Sequence, residues 1–212
     1  YDSVRGKVLI FGGLNGSYSF LNDTWEYDGT NWTQITTVNP PSARMEHAMT
    51  YDSARSKVVV LGGFNSNLAA LNETWEYDGS QWTLVTTAAS PSARRDHAMI
   101  YDSMRGKVLM FGGLGSNNNN VTDTWEYDGV NWTQITTSSF PTNRASHAMV
   151  YDSAQGKVTL FGGLDSSFNN LSDTWVYDIL LKANAAAFGS GCPSSQPLTS
   201  SSSLPILGTS WL

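Results

Sequence analysis

Short apolar runs separated by polar turns dominate this chain, and their spacing predicts β-strands rather than helices. The run KVVVLGG at 57–63 is nearly continuous in apolar side chains, as expected for a strand buried on both faces. The run ETWEYDG at 73–79 alternates, so that Trp75 and Tyr77 share one face and Glu76 lies on the other. QWTLVTT follows through an Asp-Gly pair, which is a strong hairpin signal. Together with HAMTYD, which precedes them, these runs predict a four-stranded antiparallel sheet.

The same pattern recurs with a period of 50 residues, and each of the four copies begins with YDS. A single sheet of this size is not stable in water, so the copies must pack against one another. Each copy carries a glycine pair, which gives backbone freedom and room for close approach where the second strand ends. The structural positions of the repeat are Gly12, Gly13, Trp25, Tyr27, Trp32, Gly62, Gly63, Trp75, Tyr77, Trp82, Gly112, Gly113, Trp125, Tyr127, Trp132, Gly162, Gly163, Trp175 and Tyr177.

Composition and charge exclude several classes of function. Charged residues make up only 14% of the chain, and aromatic residues reach 12%, which suits many short strands joined by polar turns. The net charge of -6 gives no electrostatic footprint for nucleic acid. No apolar run approaches the roughly 20 residues of a membrane span. The single cysteine, Cys192, excludes both an internal disulfide and a metal cluster built from cysteines.

The repeated residues resemble the kelch repeat, which has a double glycine, a downstream tyrosine and a tryptophan about six residues later, at a period near 50. Here Tyr77 and Trp82 stand five residues apart, which is a small departure. The resemblance covers residues 1–178. It implies an all-β fold of the β-propeller type, in which each repeat forms one four-stranded blade around a central channel. It also implies that the first strand of each blade is innermost and the fourth outermost.

The chain divides into kelch-like repeats at 1–178, starting near residues 1, 51, 101 and 151, and a C-terminal part at 179–212. The C-terminal part is rich in Ser, Pro and Gly, which predicts a tail or a linker into a further module. The first copy lacks most of its innermost strand, and the fourth lacks its outer tryptophan strand. We therefore expect an incomplete ring cut from a longer protein, or a ring closed by the tail or by another chain.

One repeated arginine precedes the first strand of each copy after the first, at Arg44, Arg94 and Arg144. In kelch propellers this neighbourhood lies on the face where loops gather around the channel mouth, and arginines there often meet acidic ligands. The resemblance therefore makes these arginines candidates for ligand binding. The structural alternative is a salt bridge with a repeated carboxylate, such as Asp52 or Asp78, within or between blades.

Positions at which the near-identical copies differ indicate where a ligand could bind, because loops escape the packing constraints of the framework. Glu46 and Asp96 occupy one such position, between the repeated arginine and histidine. Tyr18 and Phe168 lie in the variable loops after the glycine pairs and offer rings on which sugars stack, although such rings more often anchor a loop from below. The predicted ligand-binding residues are Arg44, Arg94, Arg144, Glu46, Asp96, Tyr18 and Phe168.

The three histidines, His47, His97 and His147, stand at identical places in successive copies. They could converge on one axis as a metal-binding cluster. A residue that repeats with the unit more often serves the unit, so we expect each to hydrogen-bond within its own blade. The acids before each Thr-Trp pair are likewise expected to make local hydrogen bonds. We therefore predict no metal site, no cofactor and no catalytic residue.

Sequence signatures of common enzymes are absent: the chain has no nucleophile elbow, phosphate loop or HExxH motif. We predict a non-catalytic scaffold that binds a protein or a glycan through its variable loops. The kelch resemblance leaves open a mutarotase-like, sugar-isomerising enzyme that uses the three arginines and Glu46. A third alternative is a structural array, or a homo-oligomer, that assembles between chains through unpaired edge strands. The composition is similar to that of bacterial secreted kelch repeats, which predicts an extracellular or cell-surface location.

Overall fold

The computed structural model describes residues 1–178, and all regular structure in this range consists of β-strands. No helix in this part of the chain is long and apolar enough to cross a membrane. The strands are β1 (Val8–Leu14), β2 (Phe20–Tyr27), β3 (Trp32–Ile35), β4 (Arg44–Met45), β5 (Ala48–Asp52), β6 (Lys57–Leu61), β7 (Phe64–Asn65), β8 (Thr74–Tyr77), β9 (Trp82–Val85), β10 (Arg94–Arg95), β11 (Ala98–Asp102), β12 (Lys107–Phe111), β13 (Leu114–Gly115), β14 (Thr124–Tyr127), β15 (Trp132–Ile135), β16 (Ala148–Asp152), β17 (Lys157–Phe161) and β18 (Thr174–Asp178).

Four antiparallel meanders form the blades. Blade 1 has the order β1-β2-β3, blade 2 has β5-β6-β8-β9, blade 3 has β11-β12-β14-β15, and blade 4 has β16-β17-β18. In blade 2, Val60 lies opposite Trp75, which in turn lies opposite Leu84. The four predicted strands per repeat are therefore confirmed in the two complete copies. Within residues 1–178, blades 1 and 4 have three strands each. The short blade 1 agrees with its incomplete copy, whereas the position of an outer strand of blade 4 and the predicted C-terminal tail lie outside the described residues.

Two further sheets, each of only two short strands, escaped prediction. Strand β4 pairs with β7, and β10 pairs with β13. Each links the residues just before a blade's first strand to the loop after its glycine pair. Two residues are too few to show a periodic pattern of side chains, so these strands could not be predicted from the sequence. These small sheets hold the loops at one end of blades 2 and 3 in place.

The apolar cores lie between the blades and explain the nearly continuous apolar second strands. Val58 and Val60 of blade 2 face blade 1, whereas Val59 and Leu61, on the opposite side of the same strand, face blade 3. All four side chains are buried, and three of them are completely inaccessible to solvent. Because neighbouring blades cover both faces of this strand, the side chains on both faces are apolar. Stacking of neighbouring blades therefore supplies most of the hydrophobic stabilisation.

Polar contacts of the third and fourth strands join blades 2 and 3 to the blade before each of them. The indole Nε1 of Trp82 donates to Thr24 Oγ1 at 2.9 Å, and Trp132 makes the same bond to Thr74. The hydroxyl of Tyr127 donates to Glu76 Oε1 of the preceding blade at 2.8 Å. Because a buried donor without a partner is costly, these bonds select the relative position of the blades. The second tryptophans of blades 2 and 3 thus serve packing between blades.

A partly buried ion-pair cluster that no sequence pattern predicted also lies at each boundary. Arg5 Nε lies 2.6 Å from Asp2 Oδ2, and its Nη1 bonds Glu26. The same guanidinium lies over the ring of Tyr77 in blade 2, 5.5 Å from the ring centre. Two or more carboxylate bonds compensate for the loss of hydration of the arginine. The cluster recurs as Asp52, Arg55 and Glu76 and as Asp102, Arg105 and Glu126.

The innermost strands β5, β11 and β16 lie side by side. They line a cavity of about 660 Å³ whose wall includes Met49, Tyr51, Ile100 and Tyr101. This cavity occupies the place where a propeller has its central channel. The predicted position of the first strand, innermost in each blade, is therefore observed in the structure.

Candidate functional site

The blades carry their variable loops at the end where the second strand reaches the glycine pair. We call this end the mouth face; it comprises the loops 14–20, 64–70, 114–120 and 164–170 and the turns 44–46, 94–96 and 144–146. The bridges between Arg44 and Asn65 and between Arg94 and Gly115 bring turns and loops together. The predicted divergent positions therefore share one surface.

Each of the four loops presents one residue at the same position of the repeat in a left-handed conformation. The φ angles are 59° for Tyr18, 58° for Leu68, 59° for Asn118 and 61° for Phe168. The apolar members are strongly exposed: 84% for Tyr18, 73% for Leu68 and 74% for Phe168. We call these four residues the loop tips. Tyr18 and Phe168 are thus exposed, and the alternative that they anchor their loops from below does not describe them.

Local hydrogen bonds hold the loop tips rigidly outwards. The N–H of Tyr18 donates to the Asn15 carbonyl at 3.0 Å, and Asn15 Oδ1 accepts from the N–H groups of Ser17 and Ser19. In blade 4 the carboxylate of Asp165 accepts the equivalent backbone bonds, and a hydrogen bond from the Asn169 side chain, together with these backbone bonds, lowers its pKa. Asn and Asp stabilise tight turns in this way. The loops are therefore ordered before any partner arrives.

A second row of left-handed residues crosses the mouth face from blade to blade. The φ angles of Glu46, Asp96 and Ser146 lie between 54° and 57°. The N–H of Asp96 donates to the carbonyl of Glu46 at 2.9 Å, and the N–H of Ser146 donates to that of Asp96 at 2.8 Å. This backbone row places three side chains of different chemistry on adjacent blades.

Arg95 joins this row to the loops, and the predicted ligand-binding set did not include it. Its Nη1 lies 2.5 Å from Glu46 Oε2 and 3.3 Å from Asp96 Oδ2, and its guanidinium lies over the Phe64 ring at 4.9 Å. Its Nη2 also donates to Asn118 Oδ1 at 3.2 Å. The signal for it was present, because this position differs between copies as Met, Arg and Ala.

Asp96 has an unusual protonation equilibrium for a surface carboxyl. Burial, and then the negative charge of Glu46, raise its pKa to about 6, although Arg95 acts in the opposite direction. The carboxyl therefore gains a proton at mildly acidic pH, at which other carboxylates stay charged. The mouth face is less negative below that pH.

The repeated arginines Arg44, Arg94 and Arg144 lie inside the framework, with no accessible surface. Arg94 Nη1 and Nη2 lie 2.5 and 2.8 Å from the carboxylate of Asp123, and Nη1 also donates to the Gly112 carbonyl at 2.9 Å. Their carboxylate partners are the acids before each Thr-Trp pair, not the suggested Asp52 or Asp78. These pairs are Arg44 with Glu73, Arg94 with Asp123 and Arg144 with Asp173.

This burial removes the residues on which a sugar-isomerising site depended. Every guanidinium nitrogen of Arg144 that contacts a protein oxygen does so within its own blade, as in the bond from Nη1 to the Gly162 carbonyl at 2.9 Å. A side chain with no solvent-accessible surface cannot contact a substrate without unfolding its surroundings. We therefore assign the three arginines to the framework.

The histidines pack between the blades, and His97 does so without the hydrogen bonds expected of it. Within residues 1–178, neither ring nitrogen of His97 has a hydrogen-bond partner. Its ring fills the space between blades 2 and 3: a Cβ added to Gly62 would lie 3.1 Å from His97 Cε1. Burial, together with the charge of Arg94, lowers the pKa of His97 to about 3. Within residues 1–178, no group of three or more His, Cys, Asp and Glu side chains could hold a metal ion.

The comparison with known families agrees with this architecture. The family model described as the KLHDC2/KLHL20/DRC7 Kelch-repeats domain matches residues 2–183. No curated protein matches the chain. The matched range contains every glycine pair, Trp-x-Tyr motif and blade described above, so this chain belongs to the kelch-repeat family and its all-β structure is that of kelch propeller blades.

Proposed function

We propose that the mouth face binds a protein partner, with the loop tips as its apolar anchors and Glu46, Arg95 and Asp96 as its polar centre. Kelch-repeat domains generally act as scaffolds for protein interactions. The observation that carries the assignment to this face is the set of loop tips, which are exposed and left-handed in every copy.

The stability of the fold does not explain why the loop tips combine a left-handed backbone with exposed apolar side chains. A left-handed conformation costs a residue other than glycine about 1–2 kcal/mol, and an exposed ring or leucine returns none of this through burial. Tyr18, Leu68 and Phe168 nevertheless adopt it with most of their side chain in solvent. Because the loops are already ordered, a partner that covers these side chains pays little additional conformational entropy.

The chemistry of the surface favours a protein over a glycan. Leu68 stands between the two aromatic tips along the repeat order and offers no ring on which a sugar could stack. Aromatic side chains and a fixed arginine are the residues that most often carry the energy of protein interfaces. Arg95 is held by Glu46 and by the Phe64 ring, so its position is fixed in advance.

The test uses the immobilised chain and a displayed library of random twelve-residue peptides, with a glycan array in parallel. Selected peptides are expected to lose at least about tenfold in affinity on Tyr18→Ser or Phe168→Ser, because each change removes one apolar anchor. Val130→Ser is the matched control. Val130 is 66% exposed but lies in the turn at the opposite end of blade 3.

Two results would contradict the proposal. One is a set of peptides whose affinity is unchanged by both loop-tip substitutions, since binding would then use another surface. The other is binding on the glycan array alone that disappears with Tyr18→Ser, which would assign the same face to carbohydrate. Each variant is first compared with the unmodified chain by circular dichroism, so that loss of structure is not read as loss of binding.

A further inference from the structure

In blades 1 to 3 the arginine carbonyl and the histidine ring of the next Arg-x-x-His segment lie beside the first glycine of the pair, in a socket whose backbone bonds are complete in blade 2. In blade 2 the N–H of Gly63 donates to the Arg94 carbonyl at 2.9 Å, and the Leu71 carbonyl accepts from the Arg94 N–H at 2.9 Å. Arg94 belongs to the Arg-x-x-His segment that precedes blade 3. Three residues later the ring of His97 packs against Gly62, so closely that a Cβ added to Gly62 would lie 3.1 Å from His97 Cε1.

The equivalent sockets of blades 1 and 3 add an aromatic wall. His47 meets the ring of Phe11 edge-on, with ring centres 5.5 Å apart. His147 meets Phe111 in the same way, also at 5.5 Å. Edge-to-face contacts of this kind are favourable and directional. The socket therefore recognises one extended residue through its backbone and an imidazole three residues further on.

Blade 4 has the same socket residues as the other blades, but no side chain or backbone group of residues 1–178 occupies its socket. Phe161 is 54% exposed, whereas its counterpart Phe111 is completely buried. A Cβ on Gly162 would meet only the Leu171 carbonyl, at 3.1 Å. Within the described residues, no acceptor reaches the N–H of Gly163 and no donor reaches the carbonyl of Leu171. These residues, with Leu164, line an open groove of about 410 Å³, which we call the blade 4 groove.

The printed sequence contains no further segment of the type that fills the other sockets. Its only histidines are His47, His97 and His147, and each already occupies a boundary between blades. Residues 179–212 contain neither arginine nor histidine. Residues 1–212 therefore offer no unused Arg-x-x-His segment for this groove.

Blade 4 also differs from the other blades at two positions that contact the next blade. Gln155 stands where blades 1 to 3 have an arginine, and Val176 stands where they have the glutamate that binds it. At the boundaries before blades 2 and 3, that glutamate accepts a hydrogen bond from the hydroxyl of the next blade's tyrosine, as Glu26 does from Tyr77 and Glu76 from Tyr127. A full kelch blade would bury its tyrosine hydroxyl here without this partner. Blade 4 is thus suited to a short segment rather than a whole blade.

We propose that the blade 4 groove binds an extended segment of a partner polypeptide with the pattern Arg-x-x-His. The segment adds to the sheet edge by bonding its backbone to Gly163 and Leu171, and its imidazole packs edge-on against Phe161. This site goes beyond the proposed function of the mouth face, because it uses none of the loop tips.

The test uses a fluorescent synthetic peptide, PSARRDHAMIYD, which copies residues 91–102, and the full chain. Fluorescence anisotropy is expected to show saturable binding with one peptide per chain. The affinity should fall roughly tenfold for a peptide with His97→Ala, because the ring contact is lost. Phe161→Ala in the chain should weaken binding similarly. Phe140→Ala is the matched control, because Phe140 is 53% exposed and lies outside the groove.

Three outcomes would overturn the proposal. Absence of saturable binding up to millimolar peptide would do so, including the case in which residues 179–212 cover the groove. Equal affinity of the chain and its Phe161→Ala variant would do so as well. A loss of peptide binding on Tyr18→Ser would place the peptide on the mouth face, which contradicts this proposal but leaves the proposed function standing.

Discussion

Left-handed residues mark the mouth face at the scale of single residues. Seven of the eight non-glycine residues with positive φ lie there; the exception, Ser56, stands where the other copies have glycine. Gly, Asn and Asp are the residues that tolerate this conformation best, whereas tyrosine, leucine and phenylalanine do not. The repeat therefore imposes one backbone conformation on its loops and lets the side chains vary.

Replacement of one of these residues tests the electrostatics of the mouth face. Asp96→Asn should stabilise the fold at pH 8 by about 1–2 kcal/mol, because Asn keeps the left-handed backbone and removes a charge that burial and Glu46 disfavour. A carboxyl whose pKa rises on folding destabilises the native state above its folded pKa. Most of the gain should therefore be lost near pH 4, where the carboxyl is protonated in the folded state and about half protonated in the unfolded chain. Urea unfolding at pH 8 and pH 4 measures it.

Glu46→Gln is the control for that prediction. If the charge of Glu46 contributes to the raised pKa of Asp96, the gain from Asp96→Asn should be smaller in the Glu46→Gln background. A variant Asp96→Asn that is less stable than the parent at pH 8 would show that the contact with Arg95 outweighs burial and repulsion.

Only some residues of the mouth face could be predicted from the sequence, because loop contacts and the burial of a side chain are not encoded in a local pattern. Glu46, Asp96, Tyr18 and Phe168 were selected because they lie where near-identical copies differ, and the structure places them on one surface. The position of Arg95 differs between copies in the same way, but its contacts with Glu46 and Phe64 depend on loop geometry that no local pattern encodes. A repeated guanidinium such as Arg94 suits either a ligand or a framework acid until its exposure is known.

The strands themselves were largely predictable, because each obeys a local rule. A continuous apolar run became a strand covered on both faces, and the Asp-Gly pairs became hairpin turns. The tryptophans before Thr in the fourth strands were predicted to be structural residues of the repeat. Their bonds to Thr24 and Thr74 could not be predicted, because they join residues more than fifty positions apart.

The repeat provides its own control for the role of these tryptophans. Trp132→Phe should destabilise the chain by about 1–3 kcal/mol, because it leaves the buried Thr74 hydroxyl without its donor and removes part of a core side chain. Trp32→Phe makes the same chemical change in blade 1, where the side chain is 46% exposed, and should cost less than about 0.5 kcal/mol. Equal losses in urea unfolding would mean that the indole bond between blades contributes nothing.

The arrangement of the whole molecule depends on the faces that are covered between neighbouring blades and on the outer faces that are not. Val8 and Ile10 of blade 1 are 38% and 47% exposed, whereas their counterparts Val58 and Val60 in blade 2 are buried. The periodic sequence showed that blades must stack. It did not show how many blades complete a ring, because every copy encodes only its contacts with neighbours. Assembly between chains through the outer faces stays a prediction.

The histidines make the stability of the whole stack depend on pH. Burial lowers the pKa values of His47, His97 and His147 to about 4, 3 and 4, from the 6.5 of an exposed histidine. The unfolded chain therefore binds more protons than the folded one below pH 6.5. Stability should fall as the pH decreases from about 6.5 to 4, by up to roughly 1.4 kcal/mol per pH unit for each histidine. Folded Asp96, whose pKa is raised to about 6, gains its proton at a higher pH than in the unfolded chain, so it offsets the destabilisation from about one of the three histidines.

The expected net loss is thus roughly 1–3 kcal/mol per pH unit between pH 6 and pH 4.5, measured by urea unfolding at constant ionic strength. Carboxylates with lowered pKa values, such as Asp123, contribute mainly below pH 4, because their stabilisation is lost only as the pH falls through the pKa of the unfolded state and below. His147→Gln removes one titrating ring, so its stability should depend less steeply on pH, whatever its absolute stability. A free energy of unfolding that stays constant from pH 7 to pH 4.5 would mean that the rings between the blades gain protons without disturbing the stack.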